Sequence, residues 1–151
     1  MFHMKQTHAA KASGMGLVAL HIAARKPNPS PGQIIRVVQA GIDFGELTAL
    51  QQELDLPMDQ LAAKLGFSRA TLHRRKATGR LTSDESDKIV RFARLFGQAA
   101  QLFGGPADAR QWLKTPQQGL GGAIPLDYAQ TEIGAREVEK LLGRIDYGVY
   151  S

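Results

Sequence analysis

The sequence predicts an all-α protein, in which a helix-turn-helix unit is joined through a long amphipathic helix to a second, small helical unit. Three observations predict it. Apolar residues recur at three- and four-residue spacing from Phe44 onward, as the buried stripes of helices do. Helix-capping and helix-breaking residues fall between those stripes. A small–turn–apolar register of Ala62, Gly66 and Leu72 lies inside a concentrated block of positive charge. The organisation read from these signals is an N-terminal extension and Pro-rich linker (residues 1–33), a helix-turn-helix region (34–81), a connecting helix (82–105) and a C-terminal unit (106–151).

Within the extension, Lys5 and Lys11 precede a ten-residue apolar stretch, residues 15–24, that superficially resembles a signal peptide. Ala23-Ala24-Arg25-Lys26 puts basic residues just after the small ones, which argues instead for a short helix or strap packed on the body. The breaker-rich run Pro27-Asn28-Pro29-Ser30-Pro31-Gly32 follows as a linker. Residues 34–38, Ile-Ile-Arg-Val-Val, suit a strand or a helix equally.

Phe44, Leu47, Leu50, Leu54 and Leu56 form the first clear helical stripe, which Pro57 ends. Met58, Leu61, Ala62 and Leu65 form a second, which Gly66 stops. Ser68 is placed to cap a third helix running to about Ala77, with Gly79 beyond it. The small Ala62 lets two helices approach closely, Gly66 makes the tight turn, and Leu72 pins the third helix. That is helix-turn-helix geometry, which lays the third helix in the DNA major groove. Ser68, Arg69, Ala70, His73 and Arg74 then face outward. Arg69 and Arg74 are candidates for bidentate contacts to guanine, while Arg75, Lys76 and Arg80 suit phosphates.

Charge supports the same reading. Residues 64–80 carry Lys64, Arg69, Arg74, Arg75, Lys76 and Arg80 and no acid, whereas the rest of the chain has 13 basic against 14 acidic groups. The whole excess behind the net charge of +5 therefore sits in one short segment, which points to a polyanion partner more than a uniformly high pI would, with a solvated basic face as the alternative.

Thr82-Ser83-Asp84-Glu85 is a capping box. Ile89, Phe92, Phe96, Ala99 and Phe103 follow on one stripe, predicting a helix from about Ser83 to Phe103 that Gly104-Gly105-Pro106 terminates. The phenylalanines suit either the core or a dimer seam. Asp84, Glu85 and Asp87 have a structural reason to stand at a helix start, where carboxylates meet the positive end of the dipole. In the last unit, Pro106 opens a helix through Trp112 and Leu113, and a loop ends in Gly119-Leu120-Gly121-Gly122, which lacks the residues of a phosphate cradle. A short turn follows over residues 126–130, and a last helix over about 132–142 buries Val138, Leu141, Leu142 and Ile145. The ending GRIDYGVYS carries Ile145, Tyr147, Val149 and Tyr150, an apolar and aromatic tail that either docks on its own domain or enters a partner's pocket.

The remaining composition excludes several classes. There is no cysteine, hence no disulfide scaffold, thiol nucleophile or cysteine zinc site. No run of about 18 apolar residues is present, as a membrane span needs. His3, His8, His21 and His73 show no ligand spacing, so neither a metal nor a clustered catalytic set is expected, and the chain reads as a non-enzyme without a cofactor.

The stretches AGIDFGELTAL (40–50), LAAKLGFSRATLHRRKATGRLTSDESDKIVRFARL (61–95), LFGGPADARQWLKTP (102–116) and LGGAIPLDYAQTEIGAREVEKLLGRIDYGVYS (120–151) resemble the Xre/MbcA/ParS family of type II antitoxins. The LGG-x-x-PLD element and the GAREVEKLLGRIDYGVYS ending are its most specific parts. The resemblance implies an Xre-like helix-turn-helix followed by a toxin-binding domain, in a cytoplasmic bacterial antitoxin. Its implied partners are a RES-domain toxin, which degrades NAD or uses it for ADP-ribosylation, operator DNA, and a second copy in a homodimer that represses its own operon. It further implies a plug for the toxin's NAD pocket, made of Arg144, Ile145, Asp146, Tyr147, Gly148, Val149, Tyr150 and Ser151. Thr131, Gly134, Arg136 and Glu137 would support that plug. A dimeric transcription repressor with no toxin-neutralising activity is the alternative.

Overall fold

A computed structural model describes residues 30–148, which are helical apart from short turns and two isolated β-bridges. The apolar stretch at 15–24, His3, His8, His21 and the terminal Val149, Tyr150 and Ser151 lie outside the described residues. No helix among the described residues is long and apolar enough to cross a membrane.

The first helix, α1 (Pro31–Ala40), settles the ambiguous run at 34–38 as helix. Ser30 forms a capping box with Gln33, and Pro31 sits in the first turn, where its missing N–H costs nothing. Next come α2 (Phe44–Leu54), α3 (Met58–Lys64) and α4 (Arg69–Thr78). Ser68 caps α4 as its sequence position predicts, its Oγ accepting the Thr71 N–H at 3.0 Å. Gly66 and Gly79 take φ of 81° each, the left-handed conformation that the two turns require.

The long helix α5 (Ser83–Phe103) is the spine of the molecule. Its capping box is formed in both directions by Thr82 and Glu85. Phe92 and Phe96 are completely enclosed within this chain, so they belong to the core and not to a dimer seam. Phe103 is half-buried and packs on Trp112, with ring centroids 5.6 Å apart. Burying side chains of this size contributes on the order of 1.5–3 kcal/mol each.

The C-terminal unit folds back along α5 as α6 (Pro106–Leu113), a 3-10 turn (Gln118–Leu120), α7 (Pro125–Tyr128) and α8 (Glu132–Asp146). One apolar core runs from Ile42 through α5 to Leu142, so the two units share an interior. The helix α8 is longer than the sequence suggested. Ile145 continues the Val138–Leu141–Leu142 stripe and keeps the backbone helical to Asp146. Arg144, Ile145 and Asp146 are therefore the last turn of a helix rather than the start of a tail.

Buried polar contacts set the angle between α5 and the elements before it. The Ser86 hydroxyl accepts the Ile42 N–H at 2.9 Å and donates to the Thr82 carbonyl at 2.6 Å. Gly41, at φ 86°, lies so close to the segment leading into α5 that a Cβ there would be 2.2 Å from the Leu81 carbonyl oxygen. Further ties join α3 and α5 to the C-terminal helices. Lys64 of α3 pairs with Asp127 of α7, and Arg94 of α5 pairs with Glu139 of α8 at 3.1 Å. Arg110 of α6 donates to the Glu53 carbonyl at 2.7 Å, closing the C-terminal end of α2.

Candidate DNA- and toxin-binding surfaces

The third helix of the helix-turn-helix, α4, presents Ser68, Arg69, Ala70, His73, Arg74 and Lys76 to solvent, and Leu72 is half-buried against the core. Arg69 and Lys76 form no ion pair with any described residue, which leaves their charges available to an anionic partner. Arg74 is steadied by a 3.3 Å bond to the Thr71 hydroxyl one turn back.

Two of the expected phosphate contacts are differently placed. Arg75 is turned toward α5, where its Nε donates to Glu85 Oε1 at 2.8 Å. Arg75, expected to suit a phosphate, is thus already engaged within the chain. An acid from the next helix holds it, and no pattern in the string foretells this because the two residues lie on separate stripes. Arg80 is exposed, yet its guanidinium bonds the Gly41 carbonyl at 2.6 Å and meets Asp43 at 3.3 Å. Burial pushes the Glu85 carboxyl up, but the bonds from Arg75 and the Thr82 N–H together outweigh it and hold the group below the usual carboxylate range.

In the C-terminal unit, Thr131 caps α8, its hydroxyl accepting the Gly134 N–H at 3.0 Å. One face of α8 is buried through Ala135, Val138, Leu141 and Leu142. The opposite face carries Ile133, Arg136, Glu137, Lys140, Arg144 and Tyr147 at helical spacing. Ile133 is 76% exposed and Tyr147 83% exposed, so two large apolar side chains stand in water at either end of a mixed, mainly basic stripe. Arg136 pairs with Glu132, and Lys140 with Glu137, both weak surface pairs. Asp146, with Gln98, Gln101, Leu102, Leu142 and Gly143, lines an open groove of about 420 Å³ between α5 and α8.

Comparison with known proteins matches two regions of the chain. Residues 33–94 match the model of the Antitoxin Xre-like helix-turn-helix domain, and residues 98–148 match that of the Antitoxin Xre/MbcA/ParS C-terminal toxin-binding domain. A protein named Antitoxin Xre from Yersinia enterocolitica serotype O:8 / biotype 1B is 34% identical over 120 residues, covering 78% of this chain and 81% of that protein. The chain belongs to the Xre/MbcA/ParS antitoxin family.

Two further relatives agree with that placement. An Antitoxin Xre from Photorhabdus laumondii is 46% identical over 74 residues, 48% of this chain and 50% of the relative. A Sphingobium protein named Prs ADP-ribosylating antitoxin is 26% identical over 156 residues, 97% of this chain and 98% of the relative. The structure gives the antitoxin's two matched regions one continuous core.

Sequence reasoning missed Ile133 and Lys140 on the α8 face. The signal was present: Ile133 falls outside the apolar stripe of its own helix, and an isoleucine out of phase with its stripe has no core to enter. Tyr128, 40% exposed at the end of α7, was likewise not singled out.

Proposed function

We propose that this antitoxin binds a RES-domain toxin through α8 and the residues that follow it, and binds operator DNA through α4. In this reading the C-terminal segment from Arg144 to Tyr147 and Gly148, with Val149, Tyr150 and Ser151 beyond, blocks the toxin's NAD pocket. The protein acts in the bacterial cytoplasm, has no catalytic role of its own, and represses its operon as a homodimer.

The observation that carries the toxin reading is the outward face of α8. Ile133 and Tyr147 offer exposed apolar anchors at the two ends of this charged face, and tyrosine makes an effective anchor because it offers area at little entropy cost. Ile133 and Tyr147 bracket that face inside the region matched as toxin-binding. The name of the Sphingobium relative, which couples an antitoxin to ADP-ribosylation, supports an NAD-using partner.

The test is to titrate the purified chain into a purified RES-domain toxin encoded in the same operon while following NAD loss. Loss of NAD stops at saturating antitoxin if the reading holds. Unabated NAD loss, together with tight binding of the chain to DNA upstream of its gene, favours the alternative of a repressor that neutralises nothing.

A further inference from the structure

The helix proposed to read DNA has a weak apolar anchor. No side chain of α4 is fully buried, and Leu72 enters the core only partly. Its orientation must therefore come largely from polar ties, and three of these join α4 or the turns flanking it to α5 and to the first residue of α2. Arg75 Nε meets Glu85 at 2.8 Å in the last turn of α4. The Gly79 carbonyl just past α4 accepts the Phe44 N–H at 2.9 Å. On the far side of the turn, Lys88 Nζ donates to the Leu65 carbonyl at 3.3 Å, closing the end of α3 immediately before Gly66. Glu85 and Lys88 thus stand almost one turn apart on α5 and hold opposite ends of the turn–helix segment.

We infer that Arg75 and Glu85 are positioning residues for DNA reading, with Glu85 fixing the angle of α4 on the spine and Arg75 spent on that pair rather than on a phosphate. The inference rests on α4 being the DNA-reading helix. Both side chains are largely shielded, 22% and 13% exposed, which sets the pair apart from the exposed pairs on α8. The same Glu85 oxygen also accepts the Thr82 N–H at 2.9 Å, so one carboxylate both starts α5 and clamps α4. A base edge is read only when the reading side chain is held within a fraction of an ångström, so an anchor at the far end of the helix bears on specificity.

The substitution Glu85→Gln separates this role from simple electrostatics, because the two predict opposite signs. Removing an acid beside a basic helix should tighten DNA binding if charge alone matters. The positioning role requires it to weaken, because glutamine keeps the acceptor oxygen but loses the charge that makes the bond to the Arg75 guanidinium strong and fixed. Glutamine serves equally well in a capping box, so the start of α5 is retained. The experiment measures binding of the full chain to the duplex upstream of its own gene and to a scrambled duplex, across a salt series. Glu85→Gln and Arg75→Gln are each expected to weaken binding to the upstream duplex by roughly fivefold or more and to narrow the preference over the scrambled one. Both leave the salt slope unchanged, and the double variant is no worse than either single one. Tighter binding by Glu85→Gln overturns the inference, as does a slope lowered by about 0.9 in Arg75→Gln, the mark of a phosphate that Arg75 had neutralised.

A DNA-free readout keeps the two questions apart. Amide exchange in residues 69–78 of the full chain should quicken in Glu85→Gln while the middle of α5 stays protected. Unchanged exchange there overturns the positioning role even where DNA binding falls. A wild-type chain that binds neither duplex overturns the DNA reading itself, and the inference with it.

Discussion

The Tyr128 carbonyl and Gly134 are packed so closely that a Cβ built on Gly134 would lie 1.7 Å from the Tyr128 oxygen. This close approach seats α7 on the first turn of α8, where Thr131 caps the helix and Tyr128 and Ile133 emerge into solvent. Only glycine permits it, because the obstacle is backbone and cannot rotate away.

Gly134→Ala is accordingly expected to force α7 and α8 apart and to destabilise the chain by about 1–3 kcal/mol, the range for overpacking a tight site. Gly143, on the same helix, has nothing within 4 Å of its would-be Cβ. Gly143→Ala should therefore gain about 0.5–1 kcal/mol through its better helix propensity. Urea denaturation of both variants checks the pair, and equal shifts of the same sign would count against this packing.

Acid should uncover the Glu85 tie. Its carboxyl titrates below the usual range in the folded chain, so its contribution is present above the ordinary carboxylate pKa and is lost as pH falls through the depressed one. The stability gap between wild type and Glu85→Gln is thus widest near neutral pH and closes on acidification. Denaturation midpoints across that interval measure it, and a gap that widens in acid contradicts the assigned direction.

On DNA, Arg69 and Lys76 are expected to behave differently. Arg69→Ala should relax sequence preference at one position, at a cost of roughly 1–3 kcal/mol in discrimination. Lys76→Ala should weaken all duplexes alike and lower the salt slope by about 0.9 for each phosphate left without its cation. Binding isotherms on matched and mismatched duplexes distinguish the two, and identical behaviour would remove the division between base-reading and phosphate-binding side chains.

On α8, Ile133→Asp and Lys140→Glu change residues that touch no core. Their stability should stay within about 0.5 kcal/mol of wild type. Toxin affinity should fall roughly tenfold or more for Ile133→Asp, as for loss of an interface anchor. Calorimetric titration with the toxin supplies the comparison, and unchanged affinity would move the interface off this face.

Much of this architecture is legible in the sequence because helices announce themselves by period and punctuation. Ser68, Gly79, Thr82 and Gly104 mark their boundaries with side chains whose capping chemistry has few other uses. The candidate DNA surface is legible as a local charge excess. Relations between residues on different stripes are not. Arg75 looks like its neighbour Lys76 in a string, yet Glu85 from the next helix claims one and not the other. The end of α8 is hidden for a related reason. Gly143 looks like a stop, but Ile145 still finds the core and carries the helix one turn further.

The central claim, that the residues following α8 block an NAD-using toxin bound by the C-terminal unit, is tested most directly by co-expression with that toxin. Two chains are compared, the full one and one ending at Asp146, which keeps the whole of α8 and its buried stripe. Intracellular NAD and growth are the readouts. Both chains are expected to fold. The full chain should preserve NAD and growth, while the shortened chain still co-purifies with the toxin but lets NAD fall. Equal protection by both chains would contradict the claim and would place inhibition elsewhere on the C-terminal unit.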